Sequence, residues 1–95
     1  MSEIYKALAD PTRRRILELL RQREMSAGEL AEHFKSSKPT LSGHFSVLRA
    51  AGLVDTERSG TTITSRLNIT VLQEALMALF DAFRLKAGGK PGDRK

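Results

Sequence analysis

Apolar residues recur at helical spacing over most of the chain. The first two groups with this spacing are Ile4, Ala7 and Leu8, followed by Ile16, Leu17 and Leu20. Between them, Asp10 can cap a helix, and Pro11 stands at a first helical position, where its missing N–H costs nothing. The pattern therefore predicts a short first helix and a second helix that begins at Pro11.

The strongest helix-start signal comes next. Ser26 and Glu29 have the spacing of a capping box, and Met25 and Leu30 stand at the two positions of a hydrophobic staple. A third helix is predicted from Ser26 to Phe34.

A fourth helix is predicted from about Ser37 to Ala51, with Pro39 in its first turn. Gly52 follows as a left-handed C-cap. The apolar positions of this helix follow the i, i+4, i+7 pattern: Leu41, Phe45 and Leu48.

After Gly52 the apolar period changes from helical to alternating. Val54 to Arg58 and Thr62 to Leu67 predict two strands, joined by a hairpin turn at Ser59–Thr61. Thr70 and Gln73 then have the spacing of a second capping box, which predicts a last helix.

The last helix carries an apolar seam with spacings of 4, 3 and 4 residues. Packing onto the chain's own core is one interpretation, but a subunit interface is favoured because so short a chain needs extra burial. The residues expected in a dimer interface are Ile4, Leu8, Leu72, Leu76, Leu79, Phe80 and Phe83.

The order of elements is α-α-α-α-β-β-α, which is the order of a winged helix-turn-helix. We expect a mainly α fold with a small β-hairpin wing (α+β), dimeric, in a single domain over residues 1–86. Residues 87–95, rich in glycine and basic groups, predict a flexible tail that either touches a polyanion or only aids solubility; the second is favoured.

Composition and charge narrow the function. The chain has 95 residues and a net charge of +5, which makes a polyanion a plausible partner. It has no cysteine, which fits a reducing compartment and excludes thiol chemistry. No apolar run approaches the roughly 18 residues of a membrane span, and the N-terminus does not resemble a signal peptide. The expected location is the cytoplasm.

One segment of helix length lacks acid altogether: Lys35 to Val54 contains no Asp or Glu, in a chain that has 11 of them. The second helix of a helix-turn-helix enters the major groove of DNA and presents its N-terminal residues to base edges. A carboxylate there would face phosphate. The acid-free run therefore predicts that the fourth helix is a DNA-recognition helix.

Several residues near this helix have two interpretations. His44 either contacts DNA, which is favoured, or packs at the edge of the core. Gly43 either allows close approach to the DNA backbone or reflects drift at an exposed site. Arg49 contacts phosphate or joins a surface ion pair. Arg58, beside Ser59 and Gly60, is expected to reach phosphate or the minor groove from the wing, although an ordinary charged hairpin would look the same.

Arg13, Arg14 and Arg15 stand in the first turn of the second helix, which is the unfavourable end for cations. One is expected to pair with an acid such as Asp10 or Glu18. Another is a candidate for phosphate contact.

In four segments, the sequence resembles the ArsR family of bacterial repressors. They are KALADPTRRRILELL (6–20), MSAGELAEHF (25–34), SKPTLSGHFSVLRAAGLV (37–54) and ERSGTTITSRLN (57–68). Within the family, the chain is most similar to the SdpR-type autorepressors. The resemblance implies a homodimer on an inverted-repeat operator, including its own promoter. The positions that it assigns to DNA reading are Ser37, Lys38, Pro39, Thr40, Ser42, Gly43 and His44.

Two departures from the family pattern stand out: Gly43 replaces a usually polar side chain, and Thr62–Thr64 stands where aromatic residues are common. The cysteine positions of the family's thiol-based metal sites hold Ser26 and Gly28 here. The family's metal site on the last helix has no counterpart either. We therefore expect no metal and no cofactor.

The leading hypothesis is a dimeric DNA-binding repressor. Its expected partners are double-stranded operator DNA and a second copy of the chain, and a sequestering protein is a further candidate. The alternatives are a winged-helix protein-interaction module and a ligand-responsive regulator without autoregulation. No constellation of residues suggests an enzyme.

Overall fold

The computed structural model describes residues 2–84. The tail predicted for residues 87–95 lies outside this range, as does the end of the predicted domain at residue 86. No helix within the described range is long and apolar enough to cross a membrane.

The chain folds into five helices and a small antiparallel sheet. The helices are α1 (Ser2–Leu8), α2 (Pro11–Gln22), α3 (Ala27–Ala31), α4 (Lys38–Ala50) and α5 (Ile69–Ala82). The strands are β1 (Met25–Ser26), β2 (Val54–Ser59) and β3 (Thr62–Leu67). This confirms a mainly helical winged helix-turn-helix, with α3 and α4 as the motif and β2–β3 as the wing.

The sheet has one more strand than expected. The two residues of β1 pair with β3, Met25 opposite Ser65 and Ser26 opposite Thr64, so the strand order is β1-β3-β2. A two-residue strand is too short to show an alternating pattern, so the sequence predicted none. The pairing ties the start of α3 to the base of the wing.

Helix starts follow local chemistry. The Ser26–Glu29 capping box is present in full, and Ser37 caps α4 by accepting from the backbone N–H of Thr40. The cap predicted at Thr70 is wrong. Asn68 caps α5 by accepting from the backbone N–H of Val71, so the helix begins at Ile69.

Two glycines have backbones that other residues adopt with strain. Gly52 closes α4 with φ of +78°, as expected of a left-handed C-cap. Gly60 has φ of +63° and is the first residue of the two-residue loop between Ser59 and Thr62, a position that favours glycine in type II′ hairpin turns. The turn is thus one residue shorter than predicted, because Ser59 still pairs in β2.

The core lies between α2, α3, α4 and the base of the wing. Its largest fully buried side chains are Ile16, Leu30, Leu48 and Leu53. Leu41 is also buried, while Phe45 is only half-buried against the core. The apolar side of α4 therefore faces inward and its polar side faces out.

Loss of the Ser26 cap should destabilise the fold. In Ser26→Ala, the backbone N–H of Glu29 loses its acceptor, and we expect the free energy of unfolding to fall by about 1 kcal/mol. Urea denaturation at fixed protein concentration measures this. Ser36→Ala, an exposed serine outside the cap, is the matched control, and an equal loss in both variants would contradict the assignment.

The same cap should make stability depend on pH. The backbone N–H of Ser26 and the Arg23 guanidinium hold the pKa of Glu29 below its ordinary value of 4.5. A lowered pKa stabilises the folded state above the ordinary pKa, and this contribution is lost as the pH falls through the folded pKa. Between about pH 6 and about pH 3, Glu29→Gln should therefore lose less stability than the wild type. Parallel curves in urea titrations would contradict this.

Candidate nucleic-acid interface

The first turn of α4 is open to solvent and free of acid. Ser37, Lys38, Pro39 and Thr40 are all exposed. The Ser37 hydroxyl donates to the Thr40 hydroxyl over 3.0 Å and accepts from the Thr40 backbone N–H over 3.4 Å. These bonds fix the backbone turn, so the helix presents its positive dipole end and a lysine on one exposed surface.

The outward face of α4 continues this surface. Ser42, Gly43 and Ser46 are exposed, on the side away from the buried Leu41 and Leu48. A methyl group built on Gly43 would meet no atom within 4 Å. Packing within the described chain therefore gives no reason for glycine here.

His44 does not share this exposure. Its side chain is 17% exposed and lies against the start of α2, with Nδ1 3.1 Å from Nη1 of Arg13 and 3.9 Å from Oδ2 of Asp10. The structure therefore places His44 at the edge of the core, the alternative that the sequence did not favour. Its DNA contact stays a prediction.

The arginines of α2 mostly bind the end of α1. Arg13 donates from Nε to the Ala7 carbonyl and from Nη2 to the Lys6 carbonyl, both over 2.9 Å. Arg14 donates to the Leu8 carbonyl over 2.8 Å. The last carbonyls of a helix lack partners within it and carry the negative end of its dipole. Cations at the start of α2 are thus stabilised by the end of α1.

Arg15, the third arginine of this cluster, forms the ion pair that was expected of one of the three. Arg15 pairs with Glu18 over 3.1 Å. Asp10 is not an ion-pair partner of the cluster but the N-cap of α2, and the Arg13 backbone N–H lowers the pKa of its carboxyl. The carbonyl contacts of Arg13 and Arg14 were missed, since a helix-end carbonyl leaves no mark in the side-chain pattern.

Both acids of β2 have side-chain partners. Arg66 pairs with Glu57 over 2.9 Å, which raises the pKa of Arg66, and Asn68 donates to Asp55 over 3.3 Å. Arg58 makes no ion pair within residues 2–84 and lies exposed beside Ser59 and Gly60 at the tip. The tip therefore presents a cation without a competing carboxylate.

Arg49 lies near the end of α4, where it is exposed and donates to the Ser46 hydroxyl over 3.3 Å. The surface ion pair considered for it is not seen in the described part of the chain. Its contact with phosphate stays a prediction.

A second candidate surface runs along α5. This helix is apolar, yet its one fully buried residue is Ala75. Leu76 is 39% exposed and Phe83 66% exposed, while Leu72, Leu79 and Phe80 are half-buried. The predicted seam is therefore only partly covered by the chain itself. We define the α5 surface as its large exposed members: Ile69, Leu76, Met77 and Phe83.

The two residues of α1 that were expected in the dimer interface are more covered than the α5 surface. Ile4 and Leu8 of α1 are half-buried against the chain's own core. Tyr5, Ile69 and Met77 are exposed and were not singled out from the sequence. Met77 falls outside the 4-3-4 spacing that marked the seam and Tyr5 lies in α1, whereas Ile69, three residues before Leu72, extends that spacing and could have been found from it.

Within residues 2–84, no three His, Asp or Glu side chains lie close enough to hold a metal ion. His33 is exposed after α3, and His44 faces an arginine. The described surface thus offers exposed hydroxyls and cations around α4 and the wing.

Comparisons with known proteins agree with this geometry. A family model described as bacterial regulatory protein, arsR family, matches residues 10–56. The transcriptional repressor SdpR of Bacillus subtilis is 46% identical over 76 residues, which cover 80% of this chain and 84% of that protein.

Solved structures show the same fold. One described as a possible transcriptional regulator for arsenical resistance superposes with a TM-score of 0.74 at 40% identity, covering 85% of this chain and 83% of the other. NolR from Sinorhizobium fredii gives a TM-score of 0.70 at 34% identity, covering 90% and 85%.

The α5 surface yields a test of association. Leu76→Glu would place a carboxylate in the apolar patch, and we expect the protein to sediment as a monomer at concentrations where the wild type is dimeric, because an unpaired charge is costly to bury. Ser36→Glu adds the same charge at an exposed position outside α5, and should leave the dimer intact. A dimeric Leu76→Glu variant would move the interface elsewhere.

Proposed function

The chain belongs to the ArsR family of bacterial regulatory proteins, and from this we propose that it is a sequence-specific transcriptional repressor that binds an inverted-repeat operator as a homodimer. The observation that carries the proposal is the exposed, acid-free N-terminal turn of α4. Its relatives are transcriptional repressors of the same family. We propose no catalytic site and no cofactor for it.

In the proposed complex, α4 lies in the major groove. Its first turn directs the positive end of the helix dipole and the backbone N–H of Lys38 toward phosphate, which binds favourably at helix N-termini. Lys38 reaches a guanine edge or a phosphate, and the hydroxyls of Thr40 and Ser42 bond to bases or phosphates. Gly43 adds no side chain, so that the helix backbone approaches the DNA closely there.

The wing supplies a second contact. Arg58 reaches phosphate or the minor groove, and the neighbouring Ser59 and Gly60 at the hairpin tip lie against the DNA. This contact is supported by the ion pair between Glu57 and Arg66 of β3, which offsets the charge of the carboxylate next to Arg58 in the chain, while Asp55 is bound by the Asn68 amide.

Dimerisation places two recognition helices on one duplex. The α5 surface, together with α1, forms the proposed interface, and two-fold symmetry then requires an inverted-repeat site. Half-sites of helix-turn-helix dimers are spaced by about one helical turn of DNA, roughly 10 base pairs. Apolar area left exposed on α5 supports this arrangement.

We also propose that the operator includes the promoter of the protein's own gene, and that the protein acts in the cytoplasm, where this DNA lies. The similarity to a named transcriptional repressor supports repression. The signal that releases the DNA is proposed to be either a small molecule or a partner protein that sequesters the dimer.

A fluorescence-anisotropy titration tests this function. The probes are the DNA upstream of the gene and a scrambled duplex of equal length, each at several salt concentrations. Tighter binding to the upstream DNA at physiological salt is expected. Equal binding to both that falls steeply with salt would mean phosphate contacts alone. Autorepression would then be wrong, and the target would be sought at other promoters or in a protein partner.

Lys38→Ala tests the recognition helix itself. If Lys38 contacts phosphate, its loss should weaken binding to both duplexes and reduce the slope of log affinity against log salt by about 0.9. If it contacts guanine, only the preference for the operator should fall. Arg21→Ala, at the far end of α2, removes the same charge and serves as the control. Wild-type affinity and slope in Lys38→Ala would remove this position from the interface.

A further inference from the structure

One guanidinium joins three helices. Arg13 belongs to α2, donates from Nε and Nη2 to the last carbonyls of α1, and directs Nη1 to Nδ1 of His44 in α4 over 3.1 Å. Its backbone N–H is bound separately, to the Asp10 carboxylate over 3.0 Å. The side chain thus links α1, which borders the α5 surface in the proposed dimer interface, to α4, the helix proposed for recognition.

The donor inventory fixes the direction of the Arg13–His44 bond. A guanidinium carries donors only, so Nδ1 of His44 must accept. The neutral ring then carries its proton on Nε2. The planar fork of arginine makes all three bonds of Arg13 directional, so the position of the ring is set by the end of α1.

The bond acts on α4 from the side. His44 follows the buried Leu41 by one turn and stands next to the exposed Gly43. Apolar contacts by Leu41 and Leu48 press α4 onto the core but are not directional. A hydrogen bond from a charged donor to a side chain 17% exposed adds a directional constraint to the rotation of α4 that core packing already limits.

We propose that Arg13 and His44 are positioning residues for DNA recognition. Their hydrogen bond fixes the rotation of α4 about its axis relative to α1, and so aims Ser42 and Gly43 at the base edges. This inference rests on the proposed function. It differs from a direct DNA contact by His44, because the loss of a positioning bond lowers sequence preference and leaves phosphate binding intact.

The test uses a duplex selected from a random-sequence pool by the wild-type protein, and a scrambled duplex of equal length. For His44→Ala, the ratio of the two affinities should fall about tenfold, the size of about 1.4 kcal/mol. Affinity for the scrambled duplex and the salt slope should stay at wild-type values. His44→Asn, whose amide oxygen can accept near the position of Nδ1, should recover part of the preference.

Coupling to Arg13 is tested in the same assay. Arg13→Gln should lower the sequence preference. The double variant with His44→Ala should show no lower preference than the more severe single variant, since both single variants remove the Arg13–His44 bond. Arg15→Gln is the matched control, because Arg15 pairs only with the exposed Glu18 in the described structure. Circular dichroism and sedimentation confirm that each variant is folded and dimeric. Nitrogen-15 NMR of the free wild type should show an unprotonated Nδ1 and a protonated Nε2.

The outcomes separate the possible failures. Enrichment of no sequence from the pool overturns the proposed function and this inference with it. A selective wild type with equally selective variants overturns only the inference. If His44→Ala weakens both duplexes and lowers the salt slope, then His44 contacts phosphate, and the positioning role is wrong.

Discussion

The structure depends on one packing constraint: four fully buried side chains from four segments of the chain must meet in a single small core. They are Ile16, Leu30, Leu48 and Leu53. Because each comes from a different element, their contact fixes α2, both helices of the motif and the base of the wing at once. The polar side of α4 is then turned outward as a consequence, since its apolar side is fully used. Core formation and presentation of the recognition surface are thus the same physical event.

Hydrogen bonds at the helix ends are the second source of order in the fold. The Ser26 and Ser37 caps satisfy backbone N–H groups locally, whereas the end of α1 is satisfied from the next helix by Arg13 and Arg14. A cluster of cations at the start of α2 would be unfavourable in an isolated helix. It is favourable here because the carbonyls of α1 lie opposite. The cluster therefore belongs to tertiary structure rather than to the local chemistry of α2.

The sequence predicts what is local and misses what is not. The Ser26–Glu29 capping box and Gly52 were foreseen because both signals lie within a few residues. The cap of α5 was misplaced because Thr70 fits the same rule as Asn68. The choice is made just beyond the ends of β2 and β3, where Asn68 donates its backbone N–H to the Leu53 carbonyl over 2.9 Å. The Arg13–His44 bond spans 31 residues and follows no periodicity, so only the folded chain reveals it.

The open space around Gly43 has an evolutionary consequence. A Cβ added there meets no neighbouring atom of the described chain within 4 Å, and replacing glycine inside a helix with alanine adds up to about 1 kcal/mol of helix stability. Mutation at this position is thus free of the penalty that most changes impose on a small core. A duplicated gene could diverge here toward a different DNA target without first acquiring compensating substitutions elsewhere.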